Sequence, residues 1–206
     1  MVQAIPANTI TLRTLKQHLG LEQASDANFF SEWTDDIPKL NDLEQQTLDR
    51  VKANVLDFLD DPPVLENSVK LVVLSPLLDL AGFYRRPFRI KTETSIDIAM
   101  EDEGITIRGR IDILVVNETL WLVVVESKRS DFAVTRAVPQ ALAYMLGNPE
   151  VQQPTFGMIT NGSDFLFLKS LRTPSPRYAT SRLLSLINPQ NELYDVLAIL
   201  KRLSQT

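Results

Sequence analysis

From Asn41 onward, apolar residues recur at Leu43, Leu48, Val51, Val55, Phe58 and Leu59, the spacing of one helix face. Asn41 stands where a capping side chain is needed, and Asp61, Pro62 and Pro63 end the run. A second helix is predicted from about Val64 to Gly82, turning Leu65, Val69, Val72 and Val73 inward and tolerating or kinking at Pro76. The pattern then changes to period two. Ile90, Ile96, Ile98 and Met100 alternate with Lys91, Glu93, Ser95 and Asp97, which predicts a strand with its apolar residues on one face. Ile105 to Val116 repeats this, with Ile105, Ile107, Ile111, Ile113 and Val115 on one side and Arg108, Arg110 and Asp112 on the other. Asn117-Glu118 marks a tight turn into Leu120 to Lys128, a segment apolar enough to be buried on both faces.

A helix over Phe132 to Leu146 follows, capped by Ser130 or Asp131 and ended at Gly147; Pro139 requires it to begin late or to kink. Strands Thr155 to Thr160 and Phe165 to Lys169 flank the turn Asn161-Gly162-Ser163-Asp164, and a helix from about Glu192 to Leu203 closes the chain. This order predicts an α/β fold, a central mixed β-sheet flanked by α-helices. Residues 1–40 have weak periodicity, with a short helix near Leu12 to Leu19, and read as an N-terminal extension to a single domain spanning 41–206.

A chain of 206 residues with 44% hydrophobic content suffices for one sizeable core. It holds no cysteine, which excludes disulfides, thiolate metal sites and a cysteine nucleophile. Neither a leader-like start over Met1 to Leu21 nor an apolar run of membrane-spanning length is evident, so a soluble, cytoplasmic protein without a membrane partner is expected. The net charge of -5 argues against nucleic acid as a partner when taken as a sum. Its distribution is uneven. Acids crowd between Asp26 and Glu66, whereas Arg85, Arg86, Arg89, Lys91, Arg108, Arg110, Lys128, Arg129 and Arg136 surround the segments with candidate chemistry.

Glu126 and Lys128 share a strand face, and pairing of neighbouring strands brings Asp112 beside Glu126. Two carboxylates at the end of apolar strands call for positive charge between them, either magnesium (or manganese) or an ordinary ion pair of Glu126 with Lys128 or Arg129. Glu66 is favoured at a helix start by the helix dipole alone, Glu93 and Asp97 are reserve acids, and Asn161 and Gly162 read as turn formers. His18, the single histidine, lies far from any serine or acid motif. Gly104 to Gly109 has P-loop glycine spacing, but Arg110-Ile111 stands where Lys-Ser/Thr is needed. Trp33 and Trp121 could stack on bases, although Trp121 fits better in the core or at its edge.

Ile111-Asp112 followed by Glu126-Ser127-Lys128 resembles the signature of the PD-(D/E)xK nuclease superfamily, with Ile111 in place of the proline. Gln140 and Tyr144 resemble its Gln-x-x-x-Tyr motif, and Leu65-Glu66 its upstream glutamate. Together with Gly109-Arg110, Pro139-Gln140 and Thr160-Asn161-Gly162, the pattern is most similar to the N-terminal nuclease domain of type I restriction enzyme motor subunits and its stand-alone relatives. The resemblance implies a restriction-endonuclease-like fold in which Asp112, Glu126, the Ser127 carbonyl and Glu66 hold the metal. Lys128 would position the attacking water, and Gln140 would support it. Arg110, Arg129, Arg136 and Tyr144 are candidates for contacting DNA. Two further readings stay open: a nucleic-acid-binding module that kept the fold and lost hydrolysis, and an α/β domain whose acid–lysine cluster is structural. Either a second copy or a partner protein would supply target selection, or cleavage is unspecific.

Overall fold

The structure, a computed structural model, describes residues 3–59, 66–100, 105–126 and 133–206, with backbone alone at 3, 58–59, 66–67, 99–100, 105 and 126. Strand β1 (Gln3–Pro6) leads through a 3₁₀ turn to helix α1 (Leu12–Leu19). Thr11 caps α1 by accepting a hydrogen bond from the Thr14 amide, and Gly20 closes it in the left-handed region at φ 62°. After β2 (Glu22–Gln23) and a 3₁₀ segment Ala27–Trp33 comes α2 (Asp42–Leu59). Asn41 and Glu44 form a reciprocal capping box at its start: the Glu44 amide donates to Asn41 Oδ1 at 2.9 Å, and the Asn41 amide to Glu44 Oε2 at 2.8 Å.

The second predicted helix is three pieces in succession: α3 (Glu66–Val69), a π turn (Lys70–Leu74) and α4 (Ser75–Leu80). Pro76 lies in the first turn of α4, directly after the π turn, where the change of hydrogen-bond pattern accommodates its missing amide hydrogen. Strands β3 (Arg89–Met100), β4 (Ile105–Val116) and β5 (Trp121–Glu126) follow. Next is α5 (Val138–Leu146), preceded by a 3₁₀ turn at Val134–Ala137, so the helix begins late at Pro139 rather than kinking there. The Ser130 and Asp131 caps fall outside the described residues. Hairpin β6 (Thr155–Thr160) and β7 (Asp164–Leu171), short strands β8 (Arg177–Thr180) and β9 (Leu184–Ser185), and α6 (Leu193–Leu203) complete the chain.

Among the described residues, nine strands form one mixed sheet ordered β1-β4-β5-β6-β7-β8-β2, with β3 added along β4 and β9 along β7. Residues 3–40 contribute at two places: β1 runs parallel to the Ile105–Arg108 part of β4, and β2 pairs with β8 at the far edge. Helices cover both faces. One core lies between the sheet and α2, α4 and α6, through Leu48, Leu77, Leu197 and Leu200; the other lies under α5, with Leu142, Met145 and Leu15 of α1. Leu122 and Val124 of β5 enter the first core and Val123 and Val125 the second, as expected of a strand buried on both faces. Among the described residues, no helix is long and apolar enough to cross a membrane.

One expectation is corrected. The ladder between β3 and β4 keeps a single register from Arg89↔Val116 to Met100↔Ile105, yet neither strand keeps its apolar residues on one face. Ile90, Ile113 and Val115 pack into the core of α2, α4 and α6, whereas Ile96, Ile98, Ile107 and Ile111 pack into the core of α5. The switch falls between Thr92↔Ile113 and Thr94↔Ile111, where the ladder passes over Glu93 and Asp112. Glu93 has φ 53°. A left-handed residue rotates a strand about its own axis, so alternation restarts with the opposite parity, and the partner strand follows because the register is shared.

Candidate active site

Asp112 sits at this switch, half-buried. The β4–β5 ladder runs from Val116↔Trp121 to Ile113↔Val124, and one step further along that register Asp112 lies across from Val125, the residue before Glu126. Glu126 ends β5 opposite Thr160 of β6 in a parallel pair. Thr160 is fully buried, and its Oγ1 accepts a hydrogen bond from the Gly162 amide at 3.0 Å. Gly162 has φ 96°, and a Cβ there would come within 2.7 Å of Val69, the last residue of α3. Helix α3 begins at Glu66. The backbones carrying Asp112, Glu126 and Glu66 are thus brought to one end of the sheet by strand register and by one close contact.

The side chains of Glu66 and Glu126, and all of Ser127, Lys128 and Arg129, lie outside the described residues. Among those described, no group of three or more His, Cys, Asp or Glu side chains is arranged to hold a metal. Asp112 is the described donor. Its oxygens are hard ligands, as are the carboxylates and carbonyl expected to join it, and such a set suits magnesium or manganese rather than a softer metal.

Gln140 and Tyr144, one turn apart on α5, join this end of the sheet from the other face. The Tyr144 hydroxyl accepts from Gln140 Nε2 at 3.0 Å and from the Arg110 amide at 3.2 Å. Tyr144 is 2% exposed, so its ring and hydroxyl are inside the protein, away from any surface a phosphate could reach. Burial raises its pKa, and the negative charge of Asp112 adds to the rise, outweighing the hydrogen bonds to Gln140 and the Arg110 amide. The phenol therefore stays neutral at ordinary pH. The approach depends on Gly109, where a Cβ would lie 2.5 Å from the Tyr144 ring and hydroxyl and 2.8 Å from Ala7 Cβ. The glycine was visible in the sequence, but its contact with a helix 35 residues later had no local signal.

The arginines near Asp112 have partners. Arg110 Nη2 lies 2.5 Å from Glu93 Oε2, and Arg108 Nε 3.2 Å from Asp97 Oδ1, both pairs on the exposed side of the β3–β4 ribbon. Glu93 and Asp97 thus neutralise nearby cations. Arg136 is exposed, in the 3₁₀ turn before α5, so the three-residue repeat of that turn intervenes between it and the Gln140–Tyr144 stripe. His18 lies on α1, and Trp121 begins β5 with its indole partly buried against the α5 core.

Compared with known families, residues 12–175 match the family described as the type I restriction enzyme R protein N terminus. No curated protein matches the chain.

Proposed function

This chain belongs to the family of type I restriction enzyme R protein N termini, and on that footing we propose that it is a metal-dependent nuclease acting on DNA phosphodiesters. The observation that carries the reading is the gathering of the Asp112, Glu126 and Glu66 backbones at one sheet end, joined through Thr160, Gly162 and Val69. Asp112, Glu126, the Ser127 carbonyl and Glu66 would hold magnesium or manganese. When bound, the cation lowers the pKa of a water and offsets charge on the phosphate.

The protein's own part is positioning. Lys128 would orient the attacking water and offset charge on the phosphate. Gln140 and Tyr144 hold the β4 backbone at Arg110, two residues before Asp112, which fixes the carboxylate without either side chain touching DNA. A site held this way needs no histidine or cysteine. Target selection falls to a partner protein or a second copy.

The test is nicking of plasmid DNA at millimolar magnesium or manganese. Asp112→Ala is expected to lower the rate at least ~100-fold, the scale of losing one main electrostatic contributor to the transition state, while the variant keeps its helical circular-dichroism spectrum. Absence of both cleavage and metal binding in the parent protein, or full cleavage by Asp112→Ala, would end the proposal. One observation favours a second reading, a DNA-binding module without hydrolysis: Arg108 and Arg110 are already neutralised by acids beside Asp112. Retardation of DNA with no cutting under any divalent metal would select it.

A further inference from the structure

We infer that the segment Arg85 to Lys91 and the β4–β5 turn opposite it form a groove for the phosphate backbone of nucleic acid, leading along the β3–β4 ribbon to Asp112. The inference rests on the DNA reading above and supplies a path for that substrate. Four cations, Arg85, Arg86, Arg89 and Lys91, stand within seven residues and all are exposed. Among the described residues, none of the four forms an ion pair. Lys16, Arg108, Arg110, Lys169, Arg182 and Lys201 all do. Lys39 and Arg50 are likewise without an ion pair among the described residues, so what sets this segment apart is density: in a chain of net charge -5 it is an island of four cations. Such an island repels itself and attracts a polyanion.

Shape and direction add to charge. Arg86, Phe88 and Arg89 line a cavity of about 840 Å³ together with Val116 at the end of β4 and Asn117 and Glu118 of the β4–β5 turn. Phe88 packs edge-on against buried Phe83, which anchors the wall that carries the arginines. Glu118 is the single acid in the lining and is bonded to neither arginine. Strands advance about 3.3 Å per residue. Lys91, across from Leu114, and Arg89, across from Val116, therefore stand roughly 7 and 13 Å along the ribbon from Asp112. Guanidinium groups suit phosphate oxygens, which they meet with two parallel hydrogen bonds.

The experiment measures binding of the full chain to a labelled DNA duplex by fluorescence anisotropy across a salt series, with a chelator present to suppress cleavage. Arg86→Glu with Arg89→Glu should weaken binding at least tenfold at low salt and reduce the slope of log affinity against log salt by about two. The neutral pair Arg86→Gln with Arg89→Gln should fall between that variant and the parent. Lys39→Glu with Arg50→Glu changes the net charge equally at two exposed sites outside the groove lining, and should lose far less. Equal losses in the groove and control variants, no loss in either, or groove-dependent capture of an acidic peptide with no binding of DNA would each overturn the groove. Groove-dependent binding by a protein that never cuts DNA would support the groove and sink the hydrolytic reading. Cleavage that needs Asp112 but ignores the groove substitutions would do the reverse.

Discussion

Two antiparallel hairpins of the same sheet, β6–β7 and β3–β4, solve opposite problems. All six residues of β6 are buried, and the turn into β7 meets its own polar needs: Asn161 Oδ1 accepts from the Ser163 and Asp164 amides and from Ser163 Oγ. Regular alternation there gives each face of the sheet its share of the core. The β3–β4 ribbon is longer, its β3 edge is solvated, and its alternation breaks at Glu93 and Asp112. A carboxylate carried into a core without compensation costs several kcal/mol, and one left on a fully solvated face gains little from a cation. The parity switch gives Asp112 an intermediate position, half-buried, beside the end of β5. One hairpin is scaffold, and the other positions Asp112, the carboxylate that the proposed function makes a metal ligand.

That contrast breaks most readily at Gly109, where β4 and α5 touch. Gly109→Val should destabilise the protein by about 3 kcal/mol, the upper range for overpacking, because the added carbons meet the Tyr144 ring and Ala7 at once. Urea denaturation measures it, and parent-like stability would show that Tyr144 does not dock on β4 as described. The matching change in the scaffold hairpin is Gly162→Ala, expected to cost about 2 kcal/mol from a positive φ that alanine resists and from collision with Val69. Since Val69 ends the helix that carries Glu66, this variant should also weaken metal binding in calorimetry. Loss of stability with unchanged metal affinity would separate Glu66 from the site.

How much of this was legible in the sequence follows the reach of each signal. The Asn41–Glu44 cap, the Asn161-Gly162 turn, the late start of α5 at Pro139 and the double burial of β5 are set by residues within a few positions of one another, and the sequence pattern carries them. The parity switch had no such signal. Counting every second residue joined Ile90 to Ile96 and Ile98, and Ile107 to Ile113, because all are apolar and nothing local marks Glu93 as left-handed. The short strands β1 and β2 owe their pairing to distant partners, β4 and β8, rather than to composition. At the candidate site, Asp112 is read from the pairing of its strand with that of Glu126, and Gln140 and Tyr144 only from the resemblance to a family motif. The burial of the Tyr144 hydroxyl against the Arg110 amide is legible in neither, since it depends on a glycine one strand away.

A smaller effect is expected from Tyr144→Phe, which removes an oxygen that accepts two hydrogen bonds and leaves the Arg110 amide without that acceptor: about 1–2 kcal/mol by denaturation at neutral pH. The pH dependence is a sharper readout. Burial first, then the charge of Asp112, raises the folded pKa above the ordinary tyrosine value near 10. The unfolded chain thus releases this proton before the folded one. The contribution is complete below the unfolded value and is lost as pH rises through the folded one. The parent should therefore lose stability in alkali faster than Tyr144→Phe, and parallel curves would place the hydroxyl in water.

The smallest expected effect concerns the turning point of the ribbon. If conformation rather than charge is what Glu93 supplies, Glu93→Asn should change stability by no more than about 0.5 kcal/mol: asparagine accepts the left-handed backbone, and the Arg110 pair it forfeits is solvent-exposed. Glu93→Val forfeits the same pair but adds a β-branched side chain at φ 53°, so it should cost roughly 1–2 kcal/mol more than the asparagine variant. Thermal melts of the two variants side by side test this difference. Equal melting would mean that the strand does not need its left-handed residue, and the half-burial of Asp112 would then have to come from its neighbours in β5.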